Sequence, residues 1–490
     1  MMRWGMYRVM SASLLALLLV SLAFAATGLI GYQPQGILAT AVVAVGATLV
    51  TTLMFSQTFR AIAHLESSLI TGLLITFIVP PTLQLADLGG AAAAGALAGL
   101  SKFLLVHRKR HFLNPAALGV TVTGLLGLTA SFWWVATPPL TPVIILLGLL
   151  VAWRGGVLTI ALTGLFVGVG VTLVRLIVSG EELLTSVYLV ATSYPIVFLA
   201  LFMLTEPLTL PGRFRARVLV AVVVGFGLGL PFALPLGSYT LYSSPELALI
   251  VGNIVALIAT LATRATRSAE VTLIDSEQRG SDQVVFRFSL SRPLRFLAGQ
   301  WIELHFPHRA GDPRGERRVF SVASPPHEAQ GQTPTLEVWT RLSTPGSSFK
   351  HALSQAPVSS SARISDVGGD FALPKDPATP LLLIAGGVGI TPFASQLAEI
   401  AHQGVTRDVV LIEVRSRPGD AWCDEVIREA GATHVVVNRE GLPDALLDSV
   451  PDIANRWCAV SGSPGFVKYA TRAAKKAGAE KVATDSFIGY

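Results

Sequence analysis

The chain has 490 residues and a net charge of +6, and 51% of its residues are hydrophobic while only 14% are charged. Its two cysteines, Cys423 and Cys458, are too few for a four-cysteine iron–sulfur cluster or a cysteine zinc site, and no metal site is predicted. Nucleic acid is not an expected partner, because much of the positive charge lies in short loops between apolar runs. A lipid membrane explains that placement better.

Residues 1–266 are predicted to form an all-α membrane domain of about ten helices, each near the roughly 20 residues that cross a bilayer. The predicted helices cover residues 9–31, 37–57, 66–86, 88–106, 115–135, 140–153, 156–178, 184–204, 216–236 and 246–264. The first run also has features of a cleaved signal peptide, with a basic start and a plausible "AFA" cleavage site at Ala23 to Ala25. The helix count below favours its retention.

Basic residues mark every second loop between the predicted helices, and Arg175 is the one basic residue in the other loops. The marked positions are Arg3, Arg8, Arg60, Lys102, Arg108, Lys109, Arg110, Arg154, Arg213, Arg215, Arg217, Arg264 and Arg267. Loops rich in Lys and Arg stay in the cytoplasm. The pattern therefore predicts a multi-pass protein of the cell membrane with both termini, and all of the C-terminal half, in the cytoplasm.

Prolines indicate a repeat within the apolar half. Pro81 and Pro115 are 34 residues apart, and so are Pro211 and Pro245, but the predicted topology puts Pro81 at the outer face and Pro211 at the inner face. This pattern predicts two five-helix repeats inserted in opposite directions, although proline-rich helix ends also recur by chance. Inverted repeats place sites near the midplane, where helices are broken.

The polar residues nearest these breaks are predicted to form an electron-acceptor site in the membrane half: Asn114, Thr205, Glu206 and Asn253. Acidic residues near apolar spans are costly and often functional. The alternative is that the carboxylates of Glu66, Glu206 and Glu246 lie at helix ends among lipid headgroups.

Four segments, "ESSLITGLLITFIVPP", "HFLNPAALG", "FMLTEPLTLP" and "LALIVGN", occur in order over residues 60–255. They resemble the D-type membrane component of Rnf electron transport complexes and the related B-type component of the sodium-translocating NADH:quinone reductase. The resemblance implies a membrane protein that holds flavin and relays electrons. The family's S-G-A-T motif for covalent FMN is missing, so a non-covalent FMN or riboflavin, or a quinone, is the expected occupant.

The C-terminal half reads as two soluble domains. Short alternating runs over residues 267–376 predict a small antiparallel β-barrel, and buried runs alternating with helices over 377–490 predict a doubly wound parallel sheet. In the first domain Arg318 is suited to a pyrophosphate, Phe320 to stacking on a ring and the Ser321 hydroxyl to a ring nitrogen. Gly346, Ser347 and Ser348 offer backbone N–H groups and hydroxyls to the same phosphates.

In the second domain Gly386, Gly387 and Gly389 lie between a strand and a helix, and their missing side chains allow a phosphate-bearing ligand close to the backbone. With these motifs, residues 268–490 resemble the ferredoxin–NADP⁺ reductase family. The resemblance implies bound FAD and a nicotinamide cofactor, a catalytic role for Ser321, Thr391 and Ser461, and cofactor contacts from Pro392, Gly462 and Tyr490. Ser461 stands where the family usually has cysteine, and Phe320 replaces a tyrosine. Arg415, Ser416 and Arg417 would suit a 2′-phosphate, which favours NADPH over NADH.

The sequence therefore predicts a membrane flavoprotein oxidoreductase that passes electrons from cytoplasmic NAD(P)H through FAD to a flavin or quinone in the membrane half. A haem-containing ferric reductase or NADPH-oxidase-like enzyme is an alternative, but only His64, His107 and His111 lie in the membrane half. A transporter with a flavin-binding regulatory domain is another.

Overall fold

The structure, a computed structural model, describes residues 6–59, 64–107, 110–236, 239–262, 268–279, 282–308, 315–342, 346–415 and 423–487. The chain divides into two compact units, Met1–Ala262 and Thr263–Tyr490. The division lies close to the boundary at residue 267 that the change in composition predicts.

The first unit is built from apolar helices, and each of the ten predicted segments contains one. The helices are α1 (Met6–Ala26), α2 (Pro34–Thr58), α3 (Leu65–Ile78), α4 (Leu85–Leu104), α5 (Pro115–Leu125), α6 (Thr141–Arg154), α7 (Leu158–Val178), α8 (Leu183–Thr192), α9 (Ile196–Phe198), α10 (Phe214–Gly229) and α11 (Pro245–Ala262). A π-helical turn, Leu199–Met203, continues α9. Two short hairpins pair β1 (Val106–His107) with β2 (Arg110–His111) and β3 (Ala233–Leu236) with β4 (Tyr239–Tyr242).

Several of the predicted spans are shorter or broken. Among the described residues, four helices are long and apolar enough to cross a membrane, or five if the bent pair Leu183–Thr192 and Ile196–Met203 is one span. Helix α3 stops at Ile78 because Pro80 disfavours helical geometry at Val79, whose ψ is 150°. The bend of 51° in the pair lies beside Pro195, which has no backbone N–H for the helical ladder. Ten spans in two inverted repeats therefore stay a prediction.

The two halves of this unit pack in a matching order. Helix α2 packs on α4 and α4 packs on α5, while α7 packs on α10 and α10 packs on α11. Small residues allow the close contacts: a side-chain carbon on Gly119 of α5 would lie 2.3 Å from the Ala94 carbonyl oxygen of α4. Close approach of this kind is typical of helix pairs in membranes.

The second unit begins with a six-stranded antiparallel sheet. Its strands are β5 (Ala269–Arg279), β6 (Gln283–Leu290), β7 (Trp301–His305), β8 (Arg317–Ser321), β9 (Thr335–Arg341) and β10 (Ser361–Gly368), in the order β8-β7-β10-β5-β6-β9. A short helix, α12 (Ser348–Ser354), follows β9. The two edges of this sheet, at β8 and β9, are joined by one isolated β-bridge between Val322 and Val338. One bridge does not establish a closed barrel, which stays a prediction.

A five-stranded parallel sheet completes the unit and confirms the parallel sheet that the sequence predicts. Its strands, β11 (Leu381–Gly386), β12 (Val409–Val414), β13 (Thr433–Val437), β14 (Trp457–Gly462) and β15 (Val482–Ser486), have the order β13-β12-β11-β14-β15. Helices α13 (Thr391–Gln403), α14 (Asp424–Glu429), α15 (Leu442–Ser449) and α16 (Pro464–Lys476) accompany them. Separate cores with α13 and α14, and with α15 and α16, cover the two faces. Ligands of such sheets bind beyond the carboxyl ends of the strands.

The contact between α4 and α5 generates a prediction for the membrane half. Gly119→Ala should lower the thermal midpoint of the purified protein in detergent, because overpacking costs about 1–3 kcal/mol. Gly170→Ala in α7 is the matched control: nothing lies within 4 Å of its added carbon. That variant should be neutral or slightly more stable, since alanine is the better helix former. Equal midpoints for the two variants would contradict this account of the packing.

Candidate functional site

Arg318 is held between two elements of the second unit. Its Nε donates to Ser347 Oγ at 3.0 Å, and its Nη1 donates to the carbonyls of Gly315 and Arg317 at 2.8 and 2.6 Å. The residue is 2% exposed, and its guanidinium lies 5.4 Å from the Phe349 ring centre. These contacts fix the guanidinium fork beside the start of α12. The structure therefore brings together the arginine and the serine that the sequence assigns to one phosphate site.

The turn before α12 carries the remaining predicted phosphate contacts. The Ser347 hydroxyl caps α12 by accepting from the Lys350 N–H, and the Ser348 hydroxyl lies 3.0 Å from His308 Nε2. Gly346 is exposed. An N-terminal cap leaves further backbone N–H groups of the first turn open to an acceptor.

Phe320 lies on the same face of β8 as Arg318, as the alternation of a strand requires. The ring is 6% exposed and lies 5.9 Å from the Phe349 ring in the core of the antiparallel sheet. Most of its surface is therefore used for packing within the protein. Its stacking on a cofactor ring stays a prediction.

Ser321 contacts a carboxylate that sequence reasoning misses. Its hydroxyl interacts with the carboxylate of Asp485 on β15, the edge strand of the parallel sheet. Burial raises the pKa of Asp485 from its usual 3.8 to about 6, and the interaction with Ser321 opposes that rise. This interaction links the predicted flavin-binding strand to the parallel sheet. The closing "DSFIGY" segment is recognisable as a motif, but nothing in it links a residue to Ser321.

The glycine-rich turn after β11 lies against the end of β14. A side-chain carbon on Gly389 would meet the Ser461 carbonyl oxygen at 2.2 Å, and one on Gly386 would meet the Phe466 ring at 2.5 Å. Gly387 has a φ of +56° with open space beside it. Packing therefore requires glycine at 386 and 389. At Gly387 the positive φ favours glycine, and the open space leaves its backbone accessible.

The other predicted nicotinamide residues gather at the same end of the sheet. Thr391 donates to the Val388 carbonyl at 2.7 Å, and Pro392 lies in the first turn of α13. Ser461 is fully buried, and its hydroxyl has no hydrogen-bond partner within the part of the chain that the structure describes. Gly462 follows it at the end of β14. An unpaired buried hydroxyl is unusual in a folded protein and marks a position to examine for a ligand.

Arg415 is engaged by two carboxylates, which weakens the sequence argument for NADPH. Its Nη2 lies 2.7 Å from Glu413 Oε2 and 2.8 Å from Asp424 Oδ1, and His434 Nε2 is 3.0 Å from the same Glu413 oxygen. The ligand atoms of Glu413, Asp424 and His434 lie within 4.8 Å of one another, but a guanidinium already binds both carboxylates. Ser416, Arg417 and Tyr490 lie outside the described residues.

The membrane half brings together three of the four residues predicted for an acceptor site. The Asn114 N–H donates to Asn253 Oδ1 at 2.7 Å, and Asn114 Nδ2 donates to Glu206 Oε2 at 2.9 Å. Asn114 Oδ1 caps α5 by accepting from the Ala117 N–H. Thr205, the fourth residue, donates back to the Leu201 carbonyl. Asn114, Thr205 and Asn253 are each at most 2% exposed.

His111 belongs to this network, although the sequence suggests it only as a haem ligand. Its Nε2 lies 2.8 Å from Glu206 Oε1, so both oxygens of that carboxylate are held. The contact spans 95 residues of sequence, and nothing in the local pattern indicates it. Lys102 also lies nearby and donates to Ser67 and Ser68 on α3.

A small cavity of about 40 Å³ adjoins this network. Its lining includes Asn114, Thr205, Glu206, Ser67 and Phe202. The volume suits a water molecule. A flavin or quinone ring would have to displace lining side chains, of which the flexible Met6 and Met10 are the most adaptable.

Comparison with known proteins finds reductase components similar to the second half, and no family model matches the chain. Reductase component 2 of terephthalate 1,2-dioxygenase from Comamonas is 33% identical over 141 residues, which are 29% of this chain and 39% of that protein. The reductase subunit of an aromatic O-demethylase from Amycolatopsis is 26% identical over 234 residues, which are 44% of this chain and 67% of that protein. The dioxygenase reductase match thus spans about two fifths of the relative's length.

Two solved structures are similar to part of this chain. A cytochrome P450 reductase from Amycolatopsis has 23% identity and a TM-score of 0.39, covering 45% of this chain and 70% of its own. A ferredoxin–NADP⁺ reductase from Neisseria gonorrhoeae has 18% identity and a TM-score of 0.38, and the match covers 45% of this chain and 98% of that one. The C-terminal half resembles ferredoxin–NADP⁺ reductase-type proteins. The resemblance of the N-terminal half to the Rnf and sodium-translocating membrane components stays a prediction.

The contact of Asp485 with Ser321 generates a pH prediction. Since the raised pKa makes the native state bind more protons than the unfolded chain between about pH 4 and 6, stability falls as the pH rises through this window. Asp485→Asn removes the charge. The gain in free energy of unfolding of this variant over the parent protein should therefore be about 1–3 kcal/mol larger at pH 7 than at pH 4.

Thermal unfolding of the parent protein and the variant at several pH values measures this difference. Asp448→Asn, an exposed carboxylate in α15, is the control and should show no such trend. A difference between the Asp485 variant and the parent that is independent of pH would contradict the assigned shift.

Proposed function

We propose that this protein is a membrane flavoprotein that oxidises NADH or NADPH with FAD and passes the electrons to an acceptor in its N-terminal half. One observation carries the proposal: Ser321, at the end of β8 in the antiparallel sheet, interacts with Asp485 on β15, the edge strand of the parallel sheet. A hydride donor and its flavin must meet where two such domains meet. The names of the matched relatives, which are reductase components of oxygenases, support the same reaction class.

The residues present fit FAD. Arg318 with the turn from Gly346 to Ser348 would hold the pyrophosphate, Phe320 would contact the ring, and Ser321 would hold a ring nitrogen. When bound, FAD accepts a hydride and can release its electrons singly. The task of the chain is to position the flavin, and the fixed Arg318 fork is suited to it.

The nicotinamide cofactor is proposed to bind along the turn from Gly386 to Gly389, with Thr391, Pro392, Ser461 and Gly462. The orphan Ser461 hydroxyl supports a ligand there. Arg417 and Tyr490, which the family resemblance assigns to the cofactor, remain part of this proposal. Because Glu413 and Asp424 already bind Arg415, we propose NADH as the preferred donor. Two carboxylates against one guanidinium disfavour a doubly charged 2′-phosphate.

This preference can be measured as the ratio of kcat/KM for NADPH to that for NADH, with ferricyanide as acceptor. The parent protein should favour NADH. Asp424→Asn should raise the ratio by on the order of tenfold, which corresponds to about 1.4 kcal/mol, because it removes one carboxylate from Arg415. Glu425→Gln is the matched control, since Glu425 lies next to it and pairs with Arg428 instead. A parent protein that favours NADPH would contradict the preference, and no oxidation of either donor would contradict the proposed function.

The membrane half is proposed to bind the electron acceptor beside Asn114, Thr205, Glu206 and Asn253. A single helix would anchor the reductase, so a bundle with broken helices and a buried polar network needs another purpose. The acceptor is a quinone or a non-covalent FMN or riboflavin. Lipid surrounds the apolar helices, and the loop charges support a cytoplasmic reductase domain. The haem alternative is less favoured because His111 is engaged by Glu206.

The acceptor site can be tested with a hydrophobic quinone in liposomes. The full-length protein should reduce it faster than the segment from residue 267 to 490, and Asn114→Ala should lower the rate of the full-length protein at least tenfold, as loss of a positioned group does. Asn114→Ser keeps an oxygen able to cap α5 but loses the donor to Glu206. Both variants should be slow if the amide matters for the site. Equal rates for the segment and the full-length protein would make the membrane half an anchor.

A further inference from the structure

Glu206 is a carboxylate placed at a break inside the apolar unit. It follows the π-helical turn Leu199–Met203, and π-turns interrupt helices most often at functional sites. His111 holds one oxygen and Asn114 holds the other, and the side chain is 19% exposed. A carboxylate among apolar helices is costly, which makes it a candidate functional group.

The titratable groups facing Glu206 come from several elements. His111 lies on β2 at 2.8 Å, and Lys102 on α4 interacts with Glu206 electrostatically. Tyr7 on α1 lines the same cavity. Glu206 therefore has a second titratable group, His111, in direct contact.

The cavity supplies the other requirement for proton transfer. It has Glu206 on its wall, together with the Asn114 amide and the hydroxyls of Ser67 and Thr71. Its volume of about 40 Å³ is sufficient for a water molecule with several polar partners. Both quinones and flavins take up protons when they are reduced, so an acceptor here needs a proton donor.

We infer that Glu206 delivers protons to the acceptor as it is reduced, and that His111 restores them. This inference rests on the proposed function of the membrane half. For a quinone, two electrons that originate from NADH and two protons give the quinol. In each transfer the O–H bond of the Glu206 carboxyl breaks and an O–H bond forms on the quinone oxygen. The carboxylate then takes a proton from the His111 imidazolium, which regains one from cytoplasmic water.

The test uses full-length protein in liposomes with a short-chain ubiquinone. Glu206→Gln should lower the rate of quinone reduction by about 10²–10⁴-fold, the range that general acid catalysis contributes. Glu181→Gln, an exposed carboxylate of the same unit, is the matched control and should keep the parent rate. An infrared difference spectrum between oxidised and reduced protein should contain a carboxylic-acid band that is lost in Glu206→Gln.

Chemical rescue separates proton delivery from a merely structural role. Added formate should accelerate Glu206→Ala in proportion to its concentration, whereas chloride should not. An unchanged rate in Glu206→Gln, or a slow Glu206→Ala that formate does not rescue, would overturn the inference while leaving quinone reduction by the parent protein intact. If the full-length parent protein reduces quinone no better than the segment from residue 267 to 490, the proposed function of the membrane half fails and the inference fails with it.

Discussion

Asn114 is the residue on which the polar centre of the N-terminal unit depends. A broken helix inside an apolar bundle leaves buried backbone groups that apolar neighbours cannot satisfy. Asn114 makes three hydrogen bonds at this break. Its backbone N–H donates to Asn253, its amide oxygen caps α5, and its amide nitrogen donates to Glu206. One residue thus ties the start of α5 to α11, through its backbone N–H, and to the segment after the π-turn, through its side chain. The polar groups that remain are gathered in one place beside a cavity.

The role proposed for the second unit is different, which is to position two cofactors at the edges of two sheets. A buried arginine on β8 is oriented by a serine that also caps α12, so a strand and a helix start share one set of bonds. Across the unit, Ser321 on the antiparallel sheet interacts with Asp485 on the parallel sheet. Glycines at 386 and 389 let the turn after β11 lie directly on β14. The chemistry proposed here needs these distances, because hydride transfer depends on close approach.

Much of the proposed site could be predicted from the sequence because its residues are consecutive or regularly spaced. Arg318, Phe320 and Ser321 lie on one strand, and the glycine turn lies between a strand and a helix. Asp485 could not be predicted, since its partner is 164 residues away and only the sheet order β11-β14-β15 brings it near. The preference for NADPH is weakened by the contacts of Arg415. In the sequence Arg415 counts only as a positive charge, whereas in the structure Glu413 and Asp424 bind it.

The sequence by itself determined where the apolar helices and the parallel sheet lie, because hydrophobic runs and alternation are local properties of the chain. It also singled out Asn114 and Glu206, which adjoin Pro115 and Pro207, and Asn253, since polar residues stand out in an apolar half. Tertiary structure decided which of them touch, that His111 joins Glu206, and that α3 and α5 are too short to span a bilayer alone. The physical reason is that helix ends and hydrogen-bond partners depend on packing between distant segments, which no local pattern encodes.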